Sequence, residues 1–301
     1  MKRARSFHLL AAALLATAPG GAAGQKQSPP IAFDVKVLVD KTCAFCEPTL
    51  VDVIKRQHAG AQVSMIDANS EEGRAFIERY DVQVLPFYFL DQKVSQDPNF
   101  QYMKGHYVKT NDGYSIQPGP DFYTPAIQLR RPRVPHRLDL FVESTAPSAA
   151  QVEAQIVKFL TGTDLQDLTF SIHYIVQETD VPASELAGPL TSRRGEKELR
   201  ESMRQACLFQ HAPIRTFFTY LACKDQNILD DSRGDACLQL TDPIKQCLGG
   251  LESESLLRQD ARLVRELGIT GGPVLVWENR YGPFGWNEVD WNTVLGQNKE
   301  N

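Results

Sequence analysis

No apolar run in this 301-residue chain is long enough to cross a bilayer as a helix. Basic charge is not in excess: 32 Lys and Arg stand against 37 Asp and Glu, a formal charge of −5, which argues against nucleic acid as a partner. The chain also lacks a nucleophile elbow, a phosphate-binding glycine loop and a paired-carboxylate motif. His58, His106, His136, His173 and His211 show no metal-ligand spacing among themselves and read as surface or core residues. Of the six cysteines, only Cys43 and Cys46 are close; Cys207, Cys223, Cys237 and Cys247 contain none of the tight pairs that zinc sites use. No metal and no other cofactor is expected.

What is present begins with an unusual start. Lys2, Arg3 and Arg5 precede the apolar run Leu9 to Ala16, and Ala22, Ala23 and Gly24 come after it, which reads as a secretory signal peptide over residues 1–24. No cysteine follows the run, so no lipid-attachment site is expected. Cleavage removes three positive charges and takes the formal charge from −5 to about −8. The expectation is an exported protein without a stable membrane span, in a bacterial periplasm or otherwise secreted. There disulfides persist, and an even number of cysteines suggests that each has a partner.

Two stretches share a similar order. In the first, "FDVKVLV" (33–39) reads as a buried strand, Glu47 to Gln57 as a helix, "QVSMI" (62–66) as a strand and "SEEGRAFIERY" as a helix begun by Ser70. "DVQVLPFYFLDQKV" then reads as a turn, a proline, an aromatic strand and a short return strand, closing a compact unit over 31–96. Residues 97–135, rich in Pro, Gly, Asn and Tyr, read as an ordered extension and linker. In the second stretch, "RLDLFV" (137–142) and "LTFSIHYIV" (168–176) read as strands around a helix at 149–160. A mostly helical insertion over about 196–267 includes a helix capped by Asp242 with Pro243 at its first position. Val274 to Trp277 then reads as a strand, Gly282-Pro283 as a turn, and 287–295 as a short helix.

These residues resemble the thioredoxin superfamily. In the first half the resemblance rests on strand, "CAFC", helix and "VLPFYFL", with Leu85-Pro86 at the place of the family's cis-proline. In the second half it rests on "GITGGPVLVWENR", with Pro273 in the corresponding place, and on a helical insertion as in DsbA-like proteins. The implied fold is α/β: two thioredoxin-like domains, the second (136–301) carrying an inserted, disulfide-stapled helical subdomain. The implied activity is thiol-disulfide exchange with protein thiols, protein disulfides or a redox partner protein. Cys43, before a helix, would be the exposed attacking thiol, and Cys46, in its first turn, the shielded resolving one. Leu85 and Pro86 would contact an extended substrate.

The resemblance has gaps. The carboxylate that thioredoxins bury six residues before the first cysteine is here Val37, and the nearest upstream acid is Asp40. In the second half, "STAPSA" places Ala146 and Ala149 where the two cysteines belong and keeps only Pro147. That half has no redox pair at the usual place, and the expectation for it is binding, orienting or dimerising.

Four cysteines allow three pairings; the polar segment between Cys223 and Cys237 reads as a loop joining antiparallel helices, so these two pair most easily and Cys207 would then bridge to Cys247 as nested staples, one of which could alternatively be a second redox relay for Cys43 and Cys46. Two other readings of the chain stay open. One is a non-catalytic binding or assembly protein in which all the disulfides are structural. The other is Cu(I) delivery through Cys43 and Cys46, although no neighbouring Met or His supports it.

Overall fold

The computed structural model describes residues 30–43, 46–116, 126–162, 168–179, 189–228, 231–238 and 240–288; the expected signal segment and most of the expected terminal helix lie outside them. In chain order the first half holds β1 (Phe33–Val39), α1 (Val51–Gln57), β2 (Ala61–Asp67), α2 (Glu71–Tyr80), β3 (Val84–Leu85), β4 (Phe87–Asp91), α3 (Phe100–Met103), β5 (Tyr107–Lys109), β6 (Gly113–Ile116) and β7 (Ile127–Gln128). The second half holds β8 (Arg137–Val142), α4 (Pro147–Gly162), β9 (Thr169–Tyr174), β10 (Val176–Glu178), β11 (Leu190–Ser192), α5 (Glu196–His211), α6 (Ile214–Lys224), α7 (Asp231–Cys237), α8 (Asp242–Gly249), α9 (Glu252–Glu266), β12 (Val274–Trp277) and β13 (Tyr281–Phe284).

The fold is α/β, and its two main sheets share one connectivity. In the first, β1 lies parallel to β2 and antiparallel to β4, which is antiparallel to β6. In the second, β8 lies parallel to β9 and antiparallel to β12, which is antiparallel to β13. The full orders are β2-β1-β4-β6-β5 and β3-β7-β13-β12-β8-β9, with β10 and β11 forming a separate ribbon. This is the strand order a thioredoxin-like sheet requires.

The sheets are joined at Pro86. The strand before it, β3, pairs with β7 and so belongs to the second sheet, whereas the strand after it, β4, belongs to the first. The core has the same division. Alternation along β1 sends Val35, Val37 and Val39 to one face, against Leu50, Ile54, Tyr88 and Phe100. Leu38, on the opposite face, joins a cluster that runs through Phe76, Leu85 and Ile127 to Leu138, Leu140 and Phe217. One apolar core thus spans both halves.

Several sequence expectations are corrected. The return strand after Pro86 is not "QKV": the Asp91 carboxylate accepts from the Lys93 N–H at 2.7 Å and turns 92–96 into a 3-10 helix. The return strand is β6, whose Gly113 packs so closely on β4 that a Cβ there would lie 2.2 Å from the Leu90 carbonyl oxygen. The described residues of 97–135 are accordingly divided between the sheets. Asp97 and Tyr107 hold the buried His58 at 3.2 and 2.8 Å, fastening α3 and β5 to the first half, while β7 enters the second sheet.

The segment "RRPRVPH" is also anchored. Arg131 donates to the Asn279 carbonyl at 2.9 Å, and Arg133 pairs with the buried Glu278. Gly282-Pro283 lies inside β13; the hairpin turns instead at Glu278 and Asn279, whose φ angles are 51° and 62°. Asp242 is the first helical residue of α8, and Thr241 is its N-cap.

Candidate functional site

β1 ends at Val39, and Asp40 organises the loop that carries the cysteines. One of its carboxylate oxygens accepts from the Thr42 N–H at 2.9 Å, the Thr42 hydroxyl at 2.6 Å and the Asn69 side-chain amide at 2.9 Å. Its carbonyl accepts from the Cys43 N–H at 3.2 Å. An aspartate that satisfies the N–H two residues on is a local turn device. Here it also ties the cysteine loop to the turn before α2. Asp40 is therefore a support for the loop, its carboxylate committed to three donors. The pattern Asp-x-Thr is a legible signal for the turn; Asn69 carries none.

Cys43 and Cys46 are joined in a disulfide with Cα atoms 5.4 Å apart. Cys43 is half-buried, whereas Cys46 is 6% exposed and belongs to the core. The two thiols are thus unequal in access, as a nucleophile and a resolving thiol would be.

The helix expected at these cysteines begins later. α1 starts at Val51, so Glu47 to Leu50 separate Cys46 from its first turn. Pro48 is a physical reason: it offers no N–H, and it disfavours helical backbone at Glu47. The buried hydroxyl of Tyr88, on β4, takes the role of a cap and accepts from the Leu50 N–H at 3.2 Å. Burial pushes the Tyr88 phenol up to about 12. The field of a helix end fades within a turn, so α1 does not hold either sulfur at its N-terminus.

Leu85-Pro86 is a cis peptide bond, as is Gly272-Pro273; Gly282-Pro283 is a third. Leu85 is 2% exposed and Pro86 is buried. The Leu85 carbonyl accepts from the Ala126 N–H at 2.8 Å, and Gln83 accepts from Leu129 at the same distance. The backbone of Leu85, a residue expected to contact an extended substrate, is thus paired within the chain. The chain's own strand β7 holds that ladder position.

The second half has the opposite arrangement. α4 starts at Pro147, directly after Ala146, with the Ala149 N–H donating to the Ala146 carbonyl at 2.9 Å. Ala146 and Ala149 are 1% and 0% exposed. The helical insertion seals them in. Ser144 Oγ meets Ser202 Oγ at 2.9 Å, Thr145 donates to Glu198 at 3.0 Å, and Lys224 Nζ donates to the Ser144 carbonyl at 2.9 Å. Gly272, the residue before Pro273, packs so closely that a Cβ there would lie 2.7 Å from both the Phe141 carbonyl oxygen and Ile175. The two alanines of the degenerate motif are thus buried.

In the insertion, Cys207 on α5 is bonded to Cys247 on α8, and Cys223 on α6 to Cys237 on α7. Among the described residues between Cys223 and Cys237 are a 3-10 turn (Asp225–Asn227) and most of helix α7, rather than a plain loop. His173 is held between Asp260 at 2.8 Å and Asp139 at 3.0 Å, with Arg137 on Asp139 at 2.8 Å. Burial alone would lower the His173 imidazole, but the hydrogen bonds it donates to the two carboxylates, and their charges, outweigh it and push it up to about 9. Both ring nitrogens are engaged, so His173 is a cationic clamp between β9, β8 and α9.

No protein-family model matches the chain, and no curated protein does. Among solved structures it is similar to reduced DsbA1 from Neisseria meningitidis, with 12% identity, covering 53% of this chain and 78% of that one at a TM-score of 0.38. It is also similar to α-DsbA2 from Wolbachia pipientis (16% identity, 56% and 86% covered, TM-score 0.34) and DsbA from Chlamydia trachomatis (9%, 63% and 95%, 0.35).

Proposed function

We propose that this chain is an exported thiol-disulfide oxidoreductase of two thioredoxin-like units, acting on protein disulfides or a redox partner protein through Cys43 and Cys46. The carrying observation is the bridge itself: it closes across two residues at the end of β1, with one sulfur half-buried and the other in the core. A bridge over so short a loop contributes only about 1.6 kcal/mol by the chain-entropy estimate, against about 3 and about 4 kcal/mol for the two bridges of the insertion. Stability is a poor reason to have it.

In the exchange, the Cys43 thiolate attacks a substrate disulfide and forms a mixed disulfide; Cys46 then attacks the Cys43 sulfur and releases the reduced substrate. The reverse sequence oxidises a dithiol. Export rests on residues 1–24, and no helix among the described residues is long and apolar enough to cross a membrane. The second unit, with its motif buried, serves as the platform that holds β3 and the Pro86 junction through β7.

The test is Cys43→Ser. Dithiol-dependent reduction of a model protein disulfide that continues at the wild-type rate sinks the proposal, and a Cys46→Ser variant should hold its partner as a mixed disulfide identifiable by mass spectrometry. A binding or assembly protein with a permanently oxidised pair is the rival, favoured by the engaged Leu85 carbonyl. A reduction potential below about −300 mV for Cys43–Cys46 decides for that rival.

A further inference from the structure

The rim of the helical insertion gathers four potential metal ligands from three helices. Cys207 and His211 lie one turn apart on α5, Cys247 is on α8 and Glu252 opens α9. His211 Nε2 is 2.9 Å from Glu252 Oε1. The ligand atoms of His211, Cys247 and Glu252 all lie within 4.8 Å of one another, the one such group among the described residues. The disulfide places the Cys207 sulfur on that of Cys247.

A structural reading accounts for part of this. His211 in the last turn of α5 and Glu252 in the first turn of α9 suit the two helix ends and clamp the helices together. It does not account for the Cys247 sulfur lying within 4.8 Å of both polar groups. Cys207 and Cys247 are fully enclosed, whereas His211 and Glu252 form the exposed side, so the cluster has a soft interior and a polar entrance.

We propose that reduction of the Cys207–Cys247 disulfide turns this cluster into a Zn²⁺ site with Cys207, Cys247, His211 and Glu252 as ligands. Two thiolates, an imidazole nitrogen and a carboxylate oxygen form a donor set that Zn²⁺ accepts in tetrahedral geometry. The chemistry balances with a dithiol as reductant. The dithiol passes two electrons and two protons to the disulfide, is itself oxidised to a disulfide, and leaves two thiols here; Zn²⁺ then displaces the two thiol protons. At Zn–S bonds of about 2.3 Å the two sulfurs must part to roughly 3.7 Å, which a small relative shift of α5 and α8 provides. Zinc would then replace the covalent staple between α5 and α8, so the lobe stays closed in either redox state.

The experiment uses the full chain carrying Cys43→Ser and Cys46→Ser, which removes the first pair and makes the result independent of the oxidoreductase reading. The protein is reduced with a phosphine that does not bind zinc and is titrated with Zn²⁺ against a chromophoric chelator. One Zn²⁺ per reduced chain and none per oxidised chain is expected, as is a loss of affinity of about tenfold or more on His211→Ala. Co²⁺ in place of Zn²⁺ should show thiolate-to-metal charge transfer that disappears with Cys207→Ser and Cys247→Ser. His211→Ala leaves the disulfide intact and so folds before reduction. Absence of zinc uptake overturns the proposal, and so does uptake indifferent to His211 or retained without Cys207 and Cys247.

Discussion

The N–H of Ala126 donates to the carbonyl of Leu85 at 2.8 Å, so the residue next to Pro86 is paired with the chain's own strand β7. This bond joins the cysteine-bearing half to the second sheet and engages the carbonyl that the family resemblance assigns to an extended polypeptide. Ala126→Pro removes that one donor without adding charge. Leaving the buried Leu85 carbonyl without a donor should cost about 1–3 kcal/mol, read from urea denaturation. The Leu129 amide should exchange faster with solvent, and Cys43 should form mixed disulfides with unfolded polypeptide more readily. Unchanged exchange at Leu129 would show that β7 does not depend on this bond.

Asp40 holds the cysteine loop by accepting three hydrogen bonds on one oxygen. Asp40→Ala should loosen the loop, lower the effective concentration of one thiol at the other and disfavour the disulfide. A change of about 1 kcal/mol raises the reduction potential by about 20 mV, measurable by equilibration with glutathione. Asp40→Asn keeps an acceptor in place and should move it less. Equal potentials in all three proteins would show that the Asp40 carboxylate does not hold the thiols together.

His173 predicts an alkaline limit. Its pKa is raised in the fold, to about 9, so the stability it supplies is complete below its ordinary value near 6.5 and is lost as pH rises through about 9. The groups facing it are Asp139, Asp260 and, through Asp139, Arg137, with Phe141 stacked on the ring at 4.8 Å. The contribution is of order 3 kcal/mol. His173→Phe should destabilise the protein at pH 6 and flatten the fall in melting temperature between pH 7 and about 9.5; a slope identical to wild type contradicts the assignment.

Lys224 is buried between Glu153 at 3.8 Å and Asp225 at 2.9 Å and donates to the Ser144 carbonyl. Burial pushes the Glu153 carboxyl up, and Lys224 offsets only part of that. Lys224→Met leaves the acids without their cation and should cost about 3–5 kcal/mol in denaturant unfolding. Adding Glu153→Gln should recover part of the loss, and a double variant as unstable as the single one argues against coupling.

Much of this architecture is legible locally. Ser70 begins α2 by accepting from the Gly73 N–H at 3.0 Å, a bond within four residues. The alternation in "FDVKVLV" tells which side chains enter the core, because strand periodicity depends on backbone geometry alone. The start of α1 is not legible, because its cap is Tyr88, which reaches Leu50 from another strand. Residues 97–135 read as an extension because β5, β6 and β7 are short strands whose identity comes from their partners.

The sequence by itself determined the longer strands and helices, the unequal cysteine groups and the two X-Pro positions, since these depend on residue type and short spacing. Tertiary structure decided how they combine: the half with the thiols lacks a helix start at them, and the half with the helix start at Pro147 lacks the thiols. It also decided that β7 occupies the edge beside Leu85. Both outcomes depend on backbone hydrogen bonds between segments far apart in the chain, and every residue but proline offers the same N–H and C=O groups. Which of them meet is settled only when the shared apolar core closes.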